Sequence, residues 1–119
     1  MLRILVVDDE PTLRRVLTRS LRRKYGDVHS AESKARALEM LADNNNYDVV
    51  LSDNDMEHKG AGIELLTYVG EEHPRAGRFF MTCLMESSYH NLGFDACFDK
   101  PLTIKNLTNA IDEYVERKG

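Results

Sequence analysis

The amino-acid sequence predicts an α/β protein in which a parallel sheet is covered by helices on both faces. Short apolar runs that read as buried strands recur five times, and segments with apolar residues at helical spacing separate them. Strands that alternate with helices in this way favour a parallel sheet. The chain has 119 residues, enough to bury a core, and we expect residues 1–119 to form a single domain.

The chain opens with a predicted strand and a predicted helix. Leu2 to Val7 is the first strand, and it ends at the acidic run Asp8-Asp9-Glu10. Pro11 suits the first turn of a helix, because an N–H group has no intrahelical partner there. Gly26 predicts a left-handed end to this helix.

The next segment leads to the central strand. Val28 to Ala31 is a short second strand, and Ser33 is expected to cap a second helix that ends at Asn44-Asn45-Asn46. Val49 to Leu51 is a β-branched apolar run, typical of a fully buried strand. This strand ends at Asp53, where polar residues take over.

The second half of the chain alternates in the same way after a loop from Asn54 to Gly62. The elements predicted there are a helix, a strand, one or two helical turns, a strand and a last helix capped by Thr103. They cover residues 63–70, 78–81, 86–92, 96–98 and 104–115, in that order. Because crossovers between parallel strands are right-handed, the whole pattern predicts a doubly wound, flavodoxin-like (βα)5 sheet with strand order 2-1-3-4-5.

Composition excludes several classes of protein. Sixteen basic and twenty acidic side chains give a formal charge of -4, which argues against direct binding of nucleic acid by this domain. No apolar run approaches the roughly 20 residues that cross a bilayer, and no leader peptide is evident. Cys83 and Cys97 are too few for a disulfide framework and are not spaced as metal ligands, so we expect reduced thiols in a cytoplasmic protein.

The most informative residues follow the predicted strands. Asp8 and Asp9 follow the first strand, Asp53 the third, Thr82 the fourth and Lys100 the fifth. The carboxyl ends of parallel strands meet at one edge, where open α/β folds bind ligands. Carboxylates that lie so close together repel one another. Mg²⁺, which prefers oxygen ligands, would reduce this repulsion.

These residue types suit phosphoryl transfer, which needs little beyond positioning and neutralisation of charge. Lys100 supplies a positive charge and Thr82 a hydroxyl for a phosphoryl oxygen. We therefore interpret Asp53 as a nucleophile that accepts a phosphoryl group. Taken singly, an Asp after a strand is more often a turn residue or a helix cap, so the hypothesis depends on the residues acting together.

The same residues lie in motifs of one known family. In order and combination the motifs resemble the receiver domain of bacterial two-component response regulators, over essentially the whole chain. They are Ile4-Leu5-Val6-Val7-Asp8-Asp9-Glu10, Asp48-Val49-Val50-Leu51-Ser52-Asp53, Gly62-Ile63-Glu64-Leu65-Leu66, Thr82 and Lys100-Pro101-Leu102.

The resemblance implies a magnesium-dependent signalling domain rather than an enzyme with a separate substrate. Asp53 would be the phosphoacceptor. Asp9 and Asp53 would bind Mg²⁺ directly, together with the backbone carbonyl of Asp55, and Asp8 would bind it through water.

The resemblance also implies which residues bind the phosphoryl group and which proteins interact with the domain. Thr82 and Lys100 would bond the phosphoryl oxygens, and the Lys100–Pro101 peptide bond would be cis. The donor would be a histidine kinase or a phosphotransfer protein, and the target an output domain or a downstream protein. The arginine-rich first helix is one candidate docking face, although such a face is more often plain solvated surface.

Four departures from the family pattern are visible, and two lie after the phosphoacceptor. Met56-Glu57 stands where the family usually has Met-Pro, and the loop to Gly62 is one residue longer. Asp55 adds a carboxylate at a position that faces the site in the family. With Glu57 nearby, we expect it to increase the demand for metal and to disfavour an incoming anion.

The other two departures concern the last third of the chain. Cys97 replaces the Tyr or Phe found three residues before the lysine, so the usual threonine–aromatic switch is absent in its familiar form. The segment from Thr82 to Lys100 is shorter by roughly one helical turn, which predicts a shortened fourth helix and an unusual output surface. Cys83 and Cys97 are interpreted as small residues that fill space, with a redox link as the alternative.

Two other functions stay open. A receiver-like interaction module could act without phosphorylation, as Cys97 and the shortened helix would allow. Asp53-Asn54-Asp55 also resembles the Asp-x-Asp nucleophile motif of haloacid-dehalogenase-type phosphohydrolases. That family has a further acidic pair downstream of its lysine, whereas Asp8-Asp9 come before Asp53, and it usually carries a cap domain.

Overall fold

Five parallel strands form the centre of the molecule. The computed structural model describes residues 2–44 and 46–119. The strands β1 to β5 are Arg3–Val7, Asp27–Ala31, Val49–Asp53, Gly77–Thr82 and Ala96–Asp99. Their order in the sheet is β2-β1-β3-β4-β5, all parallel, so the predicted doubly wound, flavodoxin-like topology is confirmed.

Four α-helices cover the sheet. The helices α1 to α4 are Pro11–Tyr25, Lys34–Asp43, Ala61–Glu72 and Ile104–Lys118. Between β4 and β5 the chain forms only a 3₁₀ turn, Ser87–Asn91, so the prediction of a shortened fourth helix is confirmed. None of the helices in the described residues combines the length and the apolar character needed to cross a membrane.

Residues read from the sequence start three of these helices. Pro11 occupies the first turn of α1. The hydroxyl of Ser33 accepts the backbone N–H of Arg36 at 3.0 Å, and the hydroxyl of Thr103 accepts that of Asn106 at 3.1 Å. These are N-caps, which satisfy donors that a helix start leaves unpaired.

Some predicted boundaries differ from those observed. Gly26 has a positive φ of 89°, but its ψ of -58° lies outside the left-handed helical region, so the predicted left-handed helix end is wrong in detail. The last helix starts as predicted, but α3 already begins at Ala61, inside the predicted loop. For the predicted stop of the second helix, Asn45 lies outside the described residues, and Asn44 is the C-cap.

The sheet separates two apolar cores because side chains alternate along each strand. Ile4 and Val6 of β1 face α1 and α4, whereas Leu5 and Val7 face α2 and α3. Both sets are fully buried, since helices cover both faces. Residues 4–7 of β1 are therefore all apolar, and the candidate site lies beyond them, at the carboxyl ends of the strands.

Candidate functional site

Asp8 is fixed by hydrogen bonds to both of its carboxylate oxygens. It follows β1 directly and is fully buried. Oδ1 accepts the backbone N–H of Glu10 at 2.9 Å, and Oδ2 accepts the ammonium of Lys100 at 2.9 Å. The guanidinium of Arg14 donates to the backbone carbonyl of Asp8 at 2.8 Å. Its orientation is therefore set by the start of α1 and by the loop after β5.

Asp53 ends β3 and is only 6% exposed. Its Oδ1 lies 3.1 Å from Nζ of Lys100. Burial raises the pKa of Asp53 to about 6, with Lys100 opposing the increase and the Asp8 carboxylate adding to it. The side chain is therefore largely ionised at neutral pH, but its charge is only partly compensated.

Lys100, which follows β5, reaches the ends of β1 and β3, two strands that neighbour each other in the sheet but not β5. Its Nζ contacts Asp8 on one side and Asp53 on the other, and its backbone N–H donates to the carbonyl of Thr82 at 2.9 Å. Burial acts to lower the pKa of Lys100, but the two carboxylates outweigh it and the pKa is raised. The Lys100–Pro101 peptide bond is cis, as the resemblance implies.

Three carboxylates converge at this edge. Asp8, Asp9 and Asp53 each offer an oxygen, and these atoms all lie within 4.8 Å of one another. Asp9 is exposed, so the cluster opens to solvent on its side. The ligands are all hard oxygens, and their charge exceeds that of the single ammonium of Lys100. This donor set fits a divalent cation such as Mg²⁺.

Thr82 lies on the strand beside Asp53. Met81 pairs with Asp53 in the β3–β4 register, and Thr82 is the next residue of β4. It is 1% exposed, and its hydroxyl oxygen accepts the backbone N–H of Leu84 at 3.3 Å. The five residues predicted from the strand ends, Asp8, Asp9, Asp53, Thr82 and Lys100, thus occupy one edge of the sheet.

The two additional carboxylates of the β3–α3 loop do not join this cluster. Oδ1 of the exposed Asp55 accepts the backbone N–H of Gly60 at 3.2 Å. The carboxylate of Glu57 accepts the N–H groups of Lys34 and Ala35, both at 2.9 Å, at the start of α2. Glu57 therefore uses its charge to cap a helix, and its expected effect on metal demand and on an incoming anion stays a prediction.

Gly62 allows the start of α3 to lie against the end of β3. Its N–H donates to the carbonyl of Asn54 at 2.8 Å. A Cβ atom at this position would lie 1.9 Å from the backbone oxygen of Asp53 and 2.7 Å from Cα of Asn54. Only glycine fits without moving the backbone beside Asp53.

The two cysteines are not arranged for a disulfide. Cys97 pairs with Phe80, three positions before Cys83, which corresponds to about 10 Å along a strand. A disulfide requires Cα atoms within about 7 Å. Cys83 is exposed, whereas Cys97 packs against the core beside α2 and α3, where burial raises the pKa of its thiol. The space-filling interpretation is confirmed for Cys97 and is wrong for the exposed Cys83, and both cysteines are free.

Sequence reasoning missed the residues that hold the site in place. Glu10 caps α1 by accepting the N–H groups of Thr12 and Leu13, and Arg14 binds the carbonyl of Asp8. An Asp followed two residues later by a free N–H group is a turn pattern that would have predicted the Asp8–Glu10 contact. No pattern marks Asn54, which is almost fully buried directly after Asp53.

The fold and the site together define a doubly wound α/β domain with an acidic pocket and a lysine at the carboxyl edge of its sheet. The chain belongs to the response regulator receiver domain family, whose sequence profile matches residues 4–112.

Curated relatives are longer proteins. The chain is 31% identical over 120 residues to "Sensor kinase CckA" of Brucella abortus, which covers 97% of this chain and 13% of that protein. It is 38% identical over 89 residues to "Transcriptional regulatory protein SrrA" of Staphylococcus aureus, covering 64% of this chain and 36% of that protein. The chain therefore spans well under half the length of these relatives.

Solved structures share the fold. A response regulator receiver domain protein from Clostridium thermocellum matches with a TM-score of 0.85 and 26% identity, covering 99% of this chain and 97% of that one. Response regulator protein TrrA from Thermotoga maritima, solved in complex with Mg(2+)-BeF, matches with a TM-score of 0.81 and 26% identity. That match covers 95% of this chain and 98% of TrrA.

Proposed function

We propose that this domain accepts a phosphoryl group on Asp53 from a histidine kinase or a phosphotransfer protein, and that the modification changes its partner binding. The observation that carries the proposal is the single ammonium of Lys100 held between Asp53 and Asp8, within a cluster of three carboxylates. A purely structural ion pair would not require the third carboxylate, Asp9.

The proposed step is a displacement at phosphorus. An oxygen of the ionised Asp53 carboxylate forms the new bond to phosphorus, and the bond between phosphorus and the donor atom breaks. The donor leaves with the electron pair, so no proton has to be removed from Asp53. The ammonium of Lys100 is already in place to balance the charge of the phosphoryl oxygens, and the hydroxyl of Thr82 would donate to one of them.

We propose Mg²⁺ as the cofactor. Asp9 and Asp53 would hold it directly, with the backbone carbonyl of Asp55, and Asp8 would hold it through water. When bound, the ion neutralises charge on the carboxylates and on the phosphoryl group. The complex of TrrA with Mg(2+)-BeF supports this assignment by similarity.

We also propose the partners and the cellular location of the domain from its similarity to relatives. Its relatives include a sensor kinase and transcriptional regulators, which supports a histidine kinase as donor and an output domain or downstream protein as target. We propose that residues 1–119 act as a single receiver domain in the cytoplasm, with no direct contact to nucleic acid or membrane. In this role the domain catalyses only its own phosphorylation and dephosphorylation.

Mass spectrometry of the intact protein tests the proposal. The protein is incubated with Mg²⁺ and acetyl phosphate, beside Asp53→Asn and a matched control, Asp43→Asn, which changes an exposed carboxylate at the end of α2. We expect one phosphoryl group on the wild type and on the control, and none on Asp53→Asn.

Two other results would overturn the proposal. Absence of any adduct on the wild type would favour an interaction module that works without phosphorylation. Rapid hydrolysis of unrelated phosphate esters, abolished in Asp53→Asn, would favour a phosphohydrolase.

A further inference from the structure

A groove with a volume of about 550 Å³ lies between α1 and the edge strand β2. Ser30 of β2 lines one side of it, and the rest of the lining comes from α1. Asp53 and Lys100 do not line this groove, so it is distinct from the acidic pocket. Most of its lining residues are arginines, and we call it the arginine groove; they are Arg14, Arg15, Arg19, Arg22 and Arg23.

The positive charge of the arginine groove is not neutralised by the protein. The chain has a formal charge of -4, yet five of its sixteen basic side chains line this one groove. Basic residues elsewhere, such as Arg3, Lys24 and Lys34, are paired with carboxylates. Among the residues that the structure describes, no carboxylate lies within ion-pair distance of the five arginines. An anion from outside the domain would therefore meet an uncompensated cluster of cations.

Three of these arginines repeat at every fourth position of α1. Arg15, Arg19 and Arg23 are exposed, and residues four apart are neighbours on the surface of a helix. Like charges at this spacing destabilise the helix. The helix dipole favours only Arg23 of the three, because it alone lies in the last turn. The fold gains nothing from the charges of Arg15 and Arg19, which indicates that they serve a bound anion.

The other two arginines are held in position by the backbone. Nη1 of the half-buried Arg14 donates to the carbonyl of Asp8 at 2.8 Å, and Nε of Arg22 donates to the carbonyl of Val28 at 3.0 Å. A guanidinium has five N–H donors, so each of these side chains keeps donors for a ligand. Side chains that are already ordered lose less conformational entropy when they bind. The arginine groove is therefore partly organised for binding.

The donor set suits phosphate. A planar guanidinium can donate to two oxygens of one phosphate group at once. From Arg14 to Arg23 the arginines extend over about 14 Å of helix, which is longer than one phosphate can span. The volume of the groove falls within the roughly 300–1,000 Å³ of small-molecule sites. Nucleic acid is a poorer fit, because the acidic charge of the whole domain would repel it.

We propose that the arginine groove binds a small anion with two or more linked phosphates, such as the phosphate chain of a nucleoside triphosphate or free tripolyphosphate. Arg15, Arg19 and Arg23 neutralise the charge of this ligand. Arg14 and Arg22, which the backbone holds, set its orientation. The site goes beyond the proposed function and does not depend on phosphorylation of Asp53.

Isothermal titration calorimetry tests the site. The protein is titrated in metal-free buffer with tripolyphosphate, with ATP, and with AMP, which has a single phosphate. The variant is Arg15→Gln with Arg19→Gln, two exposed side chains of α1. The matched control is Lys105→Gln with Arg117→Gln, which removes the same charge from exposed positions of α4 outside the groove. Thermal unfolding of each protein checks that the fold is kept.

We expect the wild type and the control to bind tripolyphosphate and ATP, and AMP at least about tenfold more weakly. The α1 variant should bind the first two about tenfold more weakly or worse, since it loses hydrogen bonds to a charged ligand. Equal affinity for tripolyphosphate and ATP would support the phosphate chain as the ligand. Tighter binding of ATP would support a nucleotide.

Three results would overturn the proposal. The wild type could fail to bind either polyphosphate, the control could lose as much affinity as the α1 variant, or AMP could bind as tightly as ATP. Polyglutamate is titrated in parallel, and its binding without binding of tripolyphosphate would assign the groove to an acidic protein instead. The mass-spectrometric test of Asp53 is separate, so failure of one proposal leaves the other standing.

Discussion

At the scale of single residues, the pocket holds more negative charge than it neutralises. Asp8 and Asp53 are both buried, and Lys100 is the ammonium between them. The raised pKa of Asp53, about 6, reflects this imbalance. Such groups concentrate at functional sites, where stability is exchanged for reactivity.

Asp53→Asn should therefore stabilise the protein at neutral pH in the absence of divalent metal. The pKa of Asp53 rises from 3.8 to about 6 on folding, so between these values the folded state holds more protons than the unfolded state. The penalty is complete above pH ~6 and disappears as the pH falls toward ~4. We expect a gain of about 1–3 kcal/mol at pH 7 from denaturant unfolding.

The pH dependence provides the control for this prediction. The advantage of Asp53→Asn should shrink when the same unfolding curves are measured at pH 4.5, because protonation then removes the charge from the wild type as well. If Asp53→Asn gained the same free energy of unfolding at pH 7 and at pH 4.5, ionisation of Asp53 would not be the cause of the gain.

Lys100→Met should have the opposite effect on stability. Without the ammonium, the buried carboxylates of Asp8 and Asp53 lose the cation that contacts them both. We expect a loss of about 3 kcal/mol in the free energy of unfolding at pH 7, smaller at pH 5, where Asp53 is protonated. Lys105→Met, at an exposed position on α4, should change it by no more than about 0.5 kcal/mol.

At the scale of the elements, the start of α3 packs against the end of β3, and the loop between them contacts α2. Gly62 brings the first turn of α3 onto the backbone of Asp53 and Asn54, and Glu57 ties the loop to α2. Of the two acidic residues that the loop adds, Asp55 and Glu57, the second accepts the N–H groups at the start of α2.

Gly62→Ala should be strongly destabilising. Its methyl group would meet the backbone oxygen of Asp53 at 1.9 Å, and backbone atoms cannot move aside as a side chain can. We expect a loss of about 3 kcal/mol or more, measured by thermal or denaturant unfolding. Gly70→Ala, in the same helix, meets only the flexible Arg78 side chain and should change stability by about 1 kcal/mol at most.

The elements also show what the sequence could predict. Val49–Asp53 and Arg3–Val7 were predictable because buried parallel strands read as continuous apolar runs, and Pro11, Ser33 and Thr103 mark helix starts by local chemistry. Asp8, Asp53 and Lys100 were predictable as a group because topology alone brings strand ends together.

The remaining features depend on contacts between distant segments. The capping of α2 by Glu57 joins residues 22 and 23 positions apart, and Tyr89 meets Asn54 across 35. Neither pairing leaves a periodic pattern or a turn motif in the sequence. The ψ of Gly26 and the start of α3 at Ala61 were missed for the same reason, since packing decides them and local propensity does not.

At the scale of the whole molecule, metal binding should stabilise the fold, because the three carboxylates converge only in the folded state. Mg²⁺ at a hundred times its dissociation constant should add about 2.7 kcal/mol to the free energy of unfolding of the wild type. Asp9→Asn removes one exposed ligand without disturbing the buried pair and should lose most of this gain. Thermal unfolding with and without Mg²⁺ measures both, and an equal gain in Asp9→Asn would place the ion elsewhere.

The bond between Lys100 and Asp8 spans 92 residues of the chain. A ribosome that has not yet released the segment containing Lys100 holds a chain in which the carboxylate of Asp53 lacks the ammonium that contacts it in the folded protein. Under the proposed function, such an incomplete chain cannot yet accept a phosphoryl group from its kinase. Under that proposal, the domain can receive the phosphoryl group only after β5 and the lysine that follows it have folded onto the sheet.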